Sequence, residues 1–256
     1  MDEQPVRAAG LGGQAATPSA RFEIGLGSAG ATVATRSRSA RAAEIQDRLC
    51  RALSVVVALV GIVACAPLLL LIALLVRLTS PGPVLYTQVR VGVNRRRPGS
   101  PTNTGRRRFD HGGKLFRIYK FRTMYVGSDR GAERWATPDD PRVTPLGRWL
   151  RRTRLDELPQ LFNVLRGDMN IVGPRPEQPG IFNLLRERID RYGERQRVLP
   201  GMTGLAQISQ DYDATIDDVR RKLQYDLAYI ERRTVLEDLR IMVKTIPVVF
   251  LRRGGW

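Results

Sequence analysis

Residues Leu53–Val76 read LSVVVALVGIVACAPLLLLIALLV, 24 residues without a single charge. At a rise of about 1.5 Å per residue such a helix matches the roughly 30 Å hydrocarbon core of a bilayer. It is apolar around its whole circumference, which excludes the one-sided stripe of a surface helix packed on a soluble core. It also begins too far from the amino terminus, and runs too long, for a secretory leader. The stretch therefore makes the protein membrane-associated, and the remaining question is how it enters the lipid.

The flanks and a proline bear on that question. Between residues 36 and 51 there are five arginines and two acids, and between 77 and 125 twelve Lys or Arg and one acid. Basic flanks stay on the cytoplasmic side, so two basic flanks predict a segment that enters and returns through one leaflet. Pro67 supplies a break, because it lacks an N–H and clashes with the preceding turn. A re-entrant helix hairpin over residues 46–78 is thus expected, in preference to a kinked single span with the domain outside the cytoplasm. Residues 1–45, rich in Gly, Ala, Ser, Thr and Arg without apolar period, read as a disordered tail. Gly25, Gly27 and Gly30 spell G-x-G-x-x-G there, but no strand leads in and no apolar helix follows, so dinucleotide binding is not inferred.

With 42 Lys plus Arg against 25 acids, the formal charge is +17. That implies an anionic partner: nucleic acid, a phospholipid surface or a phosphorylated substrate. Two cysteines, Cys50 and Cys65, at and in the apolar run argue against a disulfide framework or a zinc site and fit a reducing compartment. A single histidine, His111, excludes mechanisms that need a histidine base together with histidine ligands. Chemistry falls to acids and basic residues.

Beyond the membrane segment the pattern is mixed, mostly α with short strands, giving an α/β domain over residues 79–250 and a tail at 251–256. Strands are expected in SPGPVLYTQVRVG (Ser80–Gly92) and KLFRIYKFRTM (Lys114–Met124). Between them, about residues 94–113 form a basic insertion with two arginine triplets, suited to adhesion on anionic lipid. Helices are expected after Pro159, from about Ile181 to Val198, and along Ile216, Val219, Leu223, Leu227 and Ile230. LPGMTGLAQISQ reads as a turn leading into a short strand. The closing VLEDLRIMVKTIPVVFLRRGGW suits a helix lying in the membrane interface, with burial against the core as the competing view.

The stretch TRLDELPQLFNVL sets Asp156 and Glu157 behind Arg148, Arg151, Arg152 and Arg154, at the amino end of the helix that Pro159 opens. Two readings are open on the residues alone. Acids beside arginines make surface ion pairs of little weight. A carboxylate among guanidinium groups also stays ionised, can hold a divalent cation and can act as a nucleophile where phosphate binds.

In order along the chain, the apolar segment with Pro67, SPGPVLYTQVRVG, FRIYKFRTM, DPRVTPLGRWLRRTRLDELPQLFNVLRGDMNIVGPRPE and LPGMTGLAQ resemble the bacterial sugar transferases, the monotopic polyprenyl-phosphate phosphoglycosyl transferases. The resemblance covers about residues 45–250. It implies an enzyme of the bacterial inner membrane, facing the cytoplasm, that moves a sugar 1-phosphate from a UDP-sugar to undecaprenyl phosphate and releases UMP, the first membrane step of a surface glycan. It further implies Asp156 as nucleophile and magnesium ligand, Glu157 as its catalytic partner, Mg2+ as cofactor, and Lys120, Arg122, Arg154 and Arg175 as phosphate-binding cations. Two departures stand out: Ala66-Pro67 where the family often has Ser-Pro, and ISQDYD where a Gly-Arg pair commonly follows GLAQ. A membrane-tethered binding protein for nucleic acid or another anionic polymer is the alternative, although no nucleic-acid motif accompanies the charge. Oligomeric state is left open, a homodimer among the options.

Overall fold

The computed structural model describes residues 27–95, 111–127, 140–210 and 215–251. The chain divides into two compact units, Met1–Ala42 and Ala43–Trp256. In the first, the described residues are helical from Gly27 onward, so positions 27–45 of the expected tail belong to the helix α1, Gly27–Thr79. Alanine-rich sequence extends an existing helix at little cost even without an apolar face. Residues 1–26, the bulk of the basic insertion and the last five residues lie outside the described set.

Pro67 lies inside α1, where the sequence predicts two helices joined by a turn. A proline forfeits one backbone hydrogen bond and bends a helix, but the leucines around it still close theirs. Cys50, Ser54, Ala58, Ile72 and Val76 are buried along one face of α1, spaced by turns of the helix. Val56, Leu59, Val60, Val63, Leu70, Leu71, Leu74 and Leu78 are exposed on the rest.

Both halves of that buried stripe rest on the same unit. Ala58 joins the cluster of Leu161, Val164, Met169 and Ile171, whereas Ile72 and Val76 join Phe121 and Leu150. Arg51 donates to the carbonyls of Met169 (2.7 Å) and Val164, and the Ile171 N–H donates to Ser54 Oγ at 3.2 Å.

Strands β1 (Leu85–Val91) and β2 (Leu115–Phe121) pair antiparallel, Leu85 facing Phe121 and Val91 facing Leu115, as the two β-branched runs predict. Alternation along β2 buries Phe116 and Ile118 and turns Lys120 to that same side. Helix α2 (Pro145–Arg152) starts with Pro145 behind the N-cap Thr144, whose Oγ1 accepts from Gly147 N at 2.9 Å. Gly147 abuts Thr123 so closely that a Cβ would lie 2.1 Å from its carbonyl oxygen. A one-turn 3-10 helix, Leu155–Glu157, leads into α3 (Gln160–Arg166), which Gly167 ends in the left-handed conformation.

Short strands β3 (Asn170–Val172) and β4 (Gly201–Thr203) pair in parallel. Between them the expected helix to Val198 is shorter: α4 spans Pro179–Arg188, Ile189 is extended and Arg191 left-handed, and a 3-10 turn follows at Tyr192–Arg197. The expected strand sits at β4, earlier in LPGMTGLAQISQ, and LAQIS is the short helix α5, Leu205–Ser209. Helix α6, Ile216–Arg232, starts with a capping box between Thr215 and Asp218.

Helix α7, Val235–Leu251, serves both views of the carboxyl-terminal segment. Asp238 and Ile241 are buried, while Leu236, Leu239, Val243 and Ile246 are exposed on the other face.

Arg122, just past β2, closes the end of α1. Its Nη2 donates to Ser80 O (2.7 Å), Ser80 Oγ (2.8 Å) and Val76 O (3.3 Å). Arg122→Ala strands these buried carbonyls, so we expect a loss of about 2–3 kcal/mol, the scale of a charge-assisted hydrogen bond with its acceptors left dry. Thermal unfolding in detergent checks this, and an unchanged midpoint would mean the helix end is held by other groups.

Candidate active site

The chain reverses sharply between α2 and α3 because Arg154 adopts φ 58°, a left-handed conformation that costs a non-glycine residue on the order of 1 kcal/mol. Leu155 then packs beside Ile72, Val76 and Leu150. The next two side chains leave the 3-10 turn in different directions, since successive residues are set about 120° apart. Asp156 is only 6% exposed.

The two acids have unlike surroundings. Glu157 is clamped: Lys120 Nζ lies 2.9 Å from Oε1, and Arg175 grips both oxygens, Nη2 to Oε1 at 2.6 Å and Nη1 to Oε2 at 3.2 Å. Burial opposes its charge, but Arg175 and Lys120 outweigh burial and hold the carboxyl well below the ordinary glutamate range. In return Glu157 raises the Arg175 pKa, against burial, so the guanidinium is permanently charged.

Asp156 receives no hydrogen bond or ion pair from the described residues. Burial pushes it up to about 6, with Lys120 opposing and the Glu157 charge adding to the rise. Environment alone thus sets two adjacent carboxyls apart, one held by two cations and one raised by burial.

The structure brings Lys120 and Arg175 to the dyad, where both are ion-paired to Glu157. Arg154 is exposed beside it and contributes to keeping Glu157 ionised without a hydrogen bond. Arg122 is placed elsewhere: its Nη2 donates to Ser80 and Val76 at the end of α1, because the strand stops at Phe121 and the extended chain beyond turns its side chain that way. Pro67 remains within α1, away from the site in sequence and in role. Arg151, read only as part of the basic run, is fixed by Thr123 Oγ1 at 2.9 Å and lowers the Asp156 pKa.

Sequence reasoning also missed a buried tier behind Arg175: Arg90, Glu177, Arg195, Lys222 and Asp226. A signal did exist. Asp226 interrupts the apolar stripe of α6 at helical spacing from Leu223, and an acid inside a buried stripe demands a cation.

Among the described residues no three His, Cys, Asp or Glu side chains gather as a complete metal cage. Magnesium does not need one. It takes one or two carboxylates, keeps several waters and fills its shell with substrate phosphate oxygens. The Asp156 carboxylate, without a hydrogen-bond partner among the described residues, fits that demand, and Glu157, whose oxygens already serve two cations, does not.

Residues 45–252 match the profile of the family described as bacterial sugar transferase. The chain belongs to the bacterial sugar transferases. Among relatives, an undecaprenyl-phosphate glucose phosphotransferase of Komagataeibacter xylinus is 43% identical over 212 residues, covering 80% of this chain and 36% of that protein. A UDP-glucose:undecaprenyl-phosphate glucose-1-phosphate transferase of Escherichia coli K12 is 37% identical, covering 80% of this chain and 41% of that protein. The exopolysaccharide production protein ExoY of Sinorhizobium fredii is 36% identical, with 80% of this chain and 87% of the relative aligned. This transferase chain therefore spans less than half the length of the first two. The alternative of a non-catalytic binder for nucleic acid or another polymer gains no support from these likenesses.

In this family member the raised Asp156 pKa carries a sign for stability. A carboxyl whose folded pKa exceeds its unfolded one stabilises the fold below the unfolded value, near 4, and loses that contribution as pH rises through about 6. Asp156→Asn mimics the neutral form, so the variant should gain about 1–3 kcal/mol over the parent above pH 7, a gain that shrinks below pH 4. Melting curves of metal-free protein at pH 4 and pH 8 test this. A variant less stable than the parent at pH 8 would contradict the placement of Asp156.

Proposed function

We propose that this transferase moves a sugar 1-phosphate from a UDP-sugar to undecaprenyl phosphate, releasing UMP, by way of a covalent intermediate on Asp156. The observation that carries the reading is the unequal dyad: a buried carboxylate without a hydrogen-bond partner among the described residues, beside one locked by two cations. The relatives' names supply the substrate class, since those from Komagataeibacter and Escherichia are named for sugar-phosphate transfer to undecaprenyl phosphate.

In the first half-reaction an Asp156 oxygen attacks the β-phosphorus. The bond from that phosphorus to the bridging oxygen breaks, and its electron pair leaves with UMP. In the second, a phosphate oxygen of the lipid attacks the aspartyl phosphorus, the bond to Asp156 breaks, and the carboxylate is restored as the polyprenyl diphosphosugar departs. Positioning and charge neutralisation are most of what phosphoryl transfer asks. Lys120 and Arg175 supply positive charge at the dyad, and Arg154 stands exposed beside it to meet an incoming diphosphate. Magnesium, held by Asp156 with substrate phosphate oxygens, would neutralise further charge on the diphosphate. Glu157 keeps the two cations in place and does not attack.

The membrane geometry belongs to the same reading. A helix crossing the bilayer would leave one half far from a domain on one side, yet both halves of α1 pack on one unit. We infer that α1 dips into the cytoplasmic leaflet and returns, bent at Pro67, with the exposed leucines of α1 and the apolar face of α7 in phospholipid. This holds the dyad at the depth where a lipid phosphate meets a cytoplasmic nucleotide.

Incubating the full chain in detergent with undecaprenyl phosphate, Mg2+ and a panel of UDP-sugars, and measuring UMP, tests the reaction and names the sugar. Asp156→Asn should lose UMP release and lipid product together, by about a thousandfold or more, the scale expected when a nucleophile is removed. Near-normal turnover in that variant would remove Asp156 from the role. For the topology, protease accessibility of the two termini in sealed inverted vesicles should match. Termini on opposite sides would establish a span.

A further inference from the structure

The segment Gly173–Glu177, GPRPE, is held at every residue. The Gly173 N–H donates to Thr203 O at 2.9 Å, and Pro174 O accepts from Gly201 N at 3.0 Å. Arg175 O accepts from Arg195 Nη2 at 3.0 Å, Pro176 O from Arg90 Nη1 at 3.1 Å, and Glu177 O from Val91 N at 2.9 Å. A Cβ on Gly173 would lie 2.5 Å from Leu199 O, so the strand contact leaves no slack on that side. Two prolines remove further freedom from the backbone.

Two of these anchors are arginine side chains that play no part at the dyad itself. Arg195 is 4% exposed. Besides the Arg175 carbonyl it donates to Asp226 Oδ2 at 2.7 Å and to Tyr192 OH at 2.6 Å, and its guanidinium lies 5.0 Å from the Tyr192 ring centroid. Glu177 Oε1 is 3.7 Å from Arg195 and 3.2 Å from Lys222, which stands one helical turn before Asp226 on α6. A chain of contacts therefore runs from α6 through Arg195 to the Arg175 carbonyl, and from the Arg175 guanidinium to Glu157.

We propose that Arg195, seated on Asp226, is a positioning residue that aims Arg175 at Glu157, with Arg90 as its counterpart on the next carbonyl. The proposal rests on the transfer reading above. Arg175 has a long, rotamer-rich side chain whose bidentate grip tolerates little displacement of its own backbone, and misplacement by about 1 Å is enough to cost orders of magnitude in rate. Only a planar guanidinium reaches a carboxylate, a phenol and a carbonyl at once, so lysine at 195 keeps the charge but drops part of the hold. Arg195 acts on the reaction through Arg175 and by no other route. A purely structural Arg195, tying the 3-10 turn to α6, would act independently of what occupies position 175.

A double-mutant cycle in the full chain separates the two. With the UDP-sugar that gives UMP release, Arg195→Lys should lower kcat about tenfold or more while KM for the UDP-sugar changes less than about threefold. On an Arg175→Lys background the same change should lower kcat by less than about twofold, because the link it serves is already broken. Equal losses on both backgrounds, or no loss beside the native Arg175, overturn the proposal. Amide exchange gives a readout free of turnover: the peptide over residues 170–178 should exchange about tenfold faster in Arg195→Lys while α6 stays protected, and unaltered exchange there overturns it equally. If Arg195→Lys does not fold, Arg90→Lys carries the same cycle and the same exchange measurement. A parent chain that releases no UMP from any donor defeats the transfer reading, and the exchange result alone then judges the positioning.

Discussion

The interaction on which the site depends is the clamp of Arg175 and Lys120 on Glu157. Its meaning is not stability. Two cations and an acid drawn out of water recover little net energy, and an apolar cluster of equal volume would hold the chain as well or better. What the clamp achieves is a difference between neighbours. Glu157 takes all of the available cationic hydrogen bonding and remains charged at any working pH. Asp156, one residue away in the same field, receives the burial and the repulsion without the hydrogen bonds. A carboxylate whose charge is balanced by direct contacts is a poor nucleophile, because attack must first break those contacts. On the proposed mechanism, one that is balanced only at a distance is the better attacker.

That arrangement needs the chain to deliver two adjacent side chains into opposite situations, and the left-handed Arg154 is how it does so. A regular helix continuing from α2 would set the acids about 100° apart but would carry Leu155 away from α1. The reversal sends Leu155 into the cluster with Ile72, Val76 and Leu150, which ties the dyad to the carboxyl-terminal half of the membrane helix. On the other side, Arg51 and Ser54 tie the amino-terminal half to the end of α3 and to β3. The site is thereby referenced to the long apolar helix at both ends of its apolar run. Backbone strain at position 154 is offset by that packing, which over-determines the turn.

How much of this is legible in the sequence follows from range. The dyad at the head of α3 can be read because Pro159 and the spacing of Leu158, Leu161 and Leu165 are local signals, and the membrane character of α1 can be read because it is a property of composition. Lys120 and Arg175 come with the resemblance as phosphate-binding cations, and the fold sets both against Glu157. Arg122 shows the limit. Residues 120 and 122 share a side of an extended chain, so pattern treats them alike, but β2 ends between them, and the Lys120 ammonium meets Glu157 while the Arg122 guanidinium meets Ser80 and Val76 at the end of α1. The break at Ile189–Arg191 was hidden for a related reason: α4 and the following turn carry a continuous amphipathic rhythm, and only packing of Phe182 and Tyr192 in one cluster requires the chain to fold back. The two faces of α7 were both visible, since a helix with apolar residues on opposite sides reads equally as buried or interfacial until its neighbours are known.

The charge of the chain takes on a different sense once the buried residues are placed. Part of the formal +17 is internal: Arg90, Lys120, Arg175, Arg195 and Lys222 outnumber the acids Glu157, Glu177 and Asp226 they face by two, so most of the net charge lies outside this cluster. These groups hold one another in a region where any one removed would leave its partner charged and dry, which is far costlier than the intact cluster is beneficial. Such a cluster cannot relax piecemeal, so it keeps the GPRPE backbone in one place while Arg154 stays exposed beside the dyad. An excess of buried cations over fixed anions also leaves the site positive before anything binds.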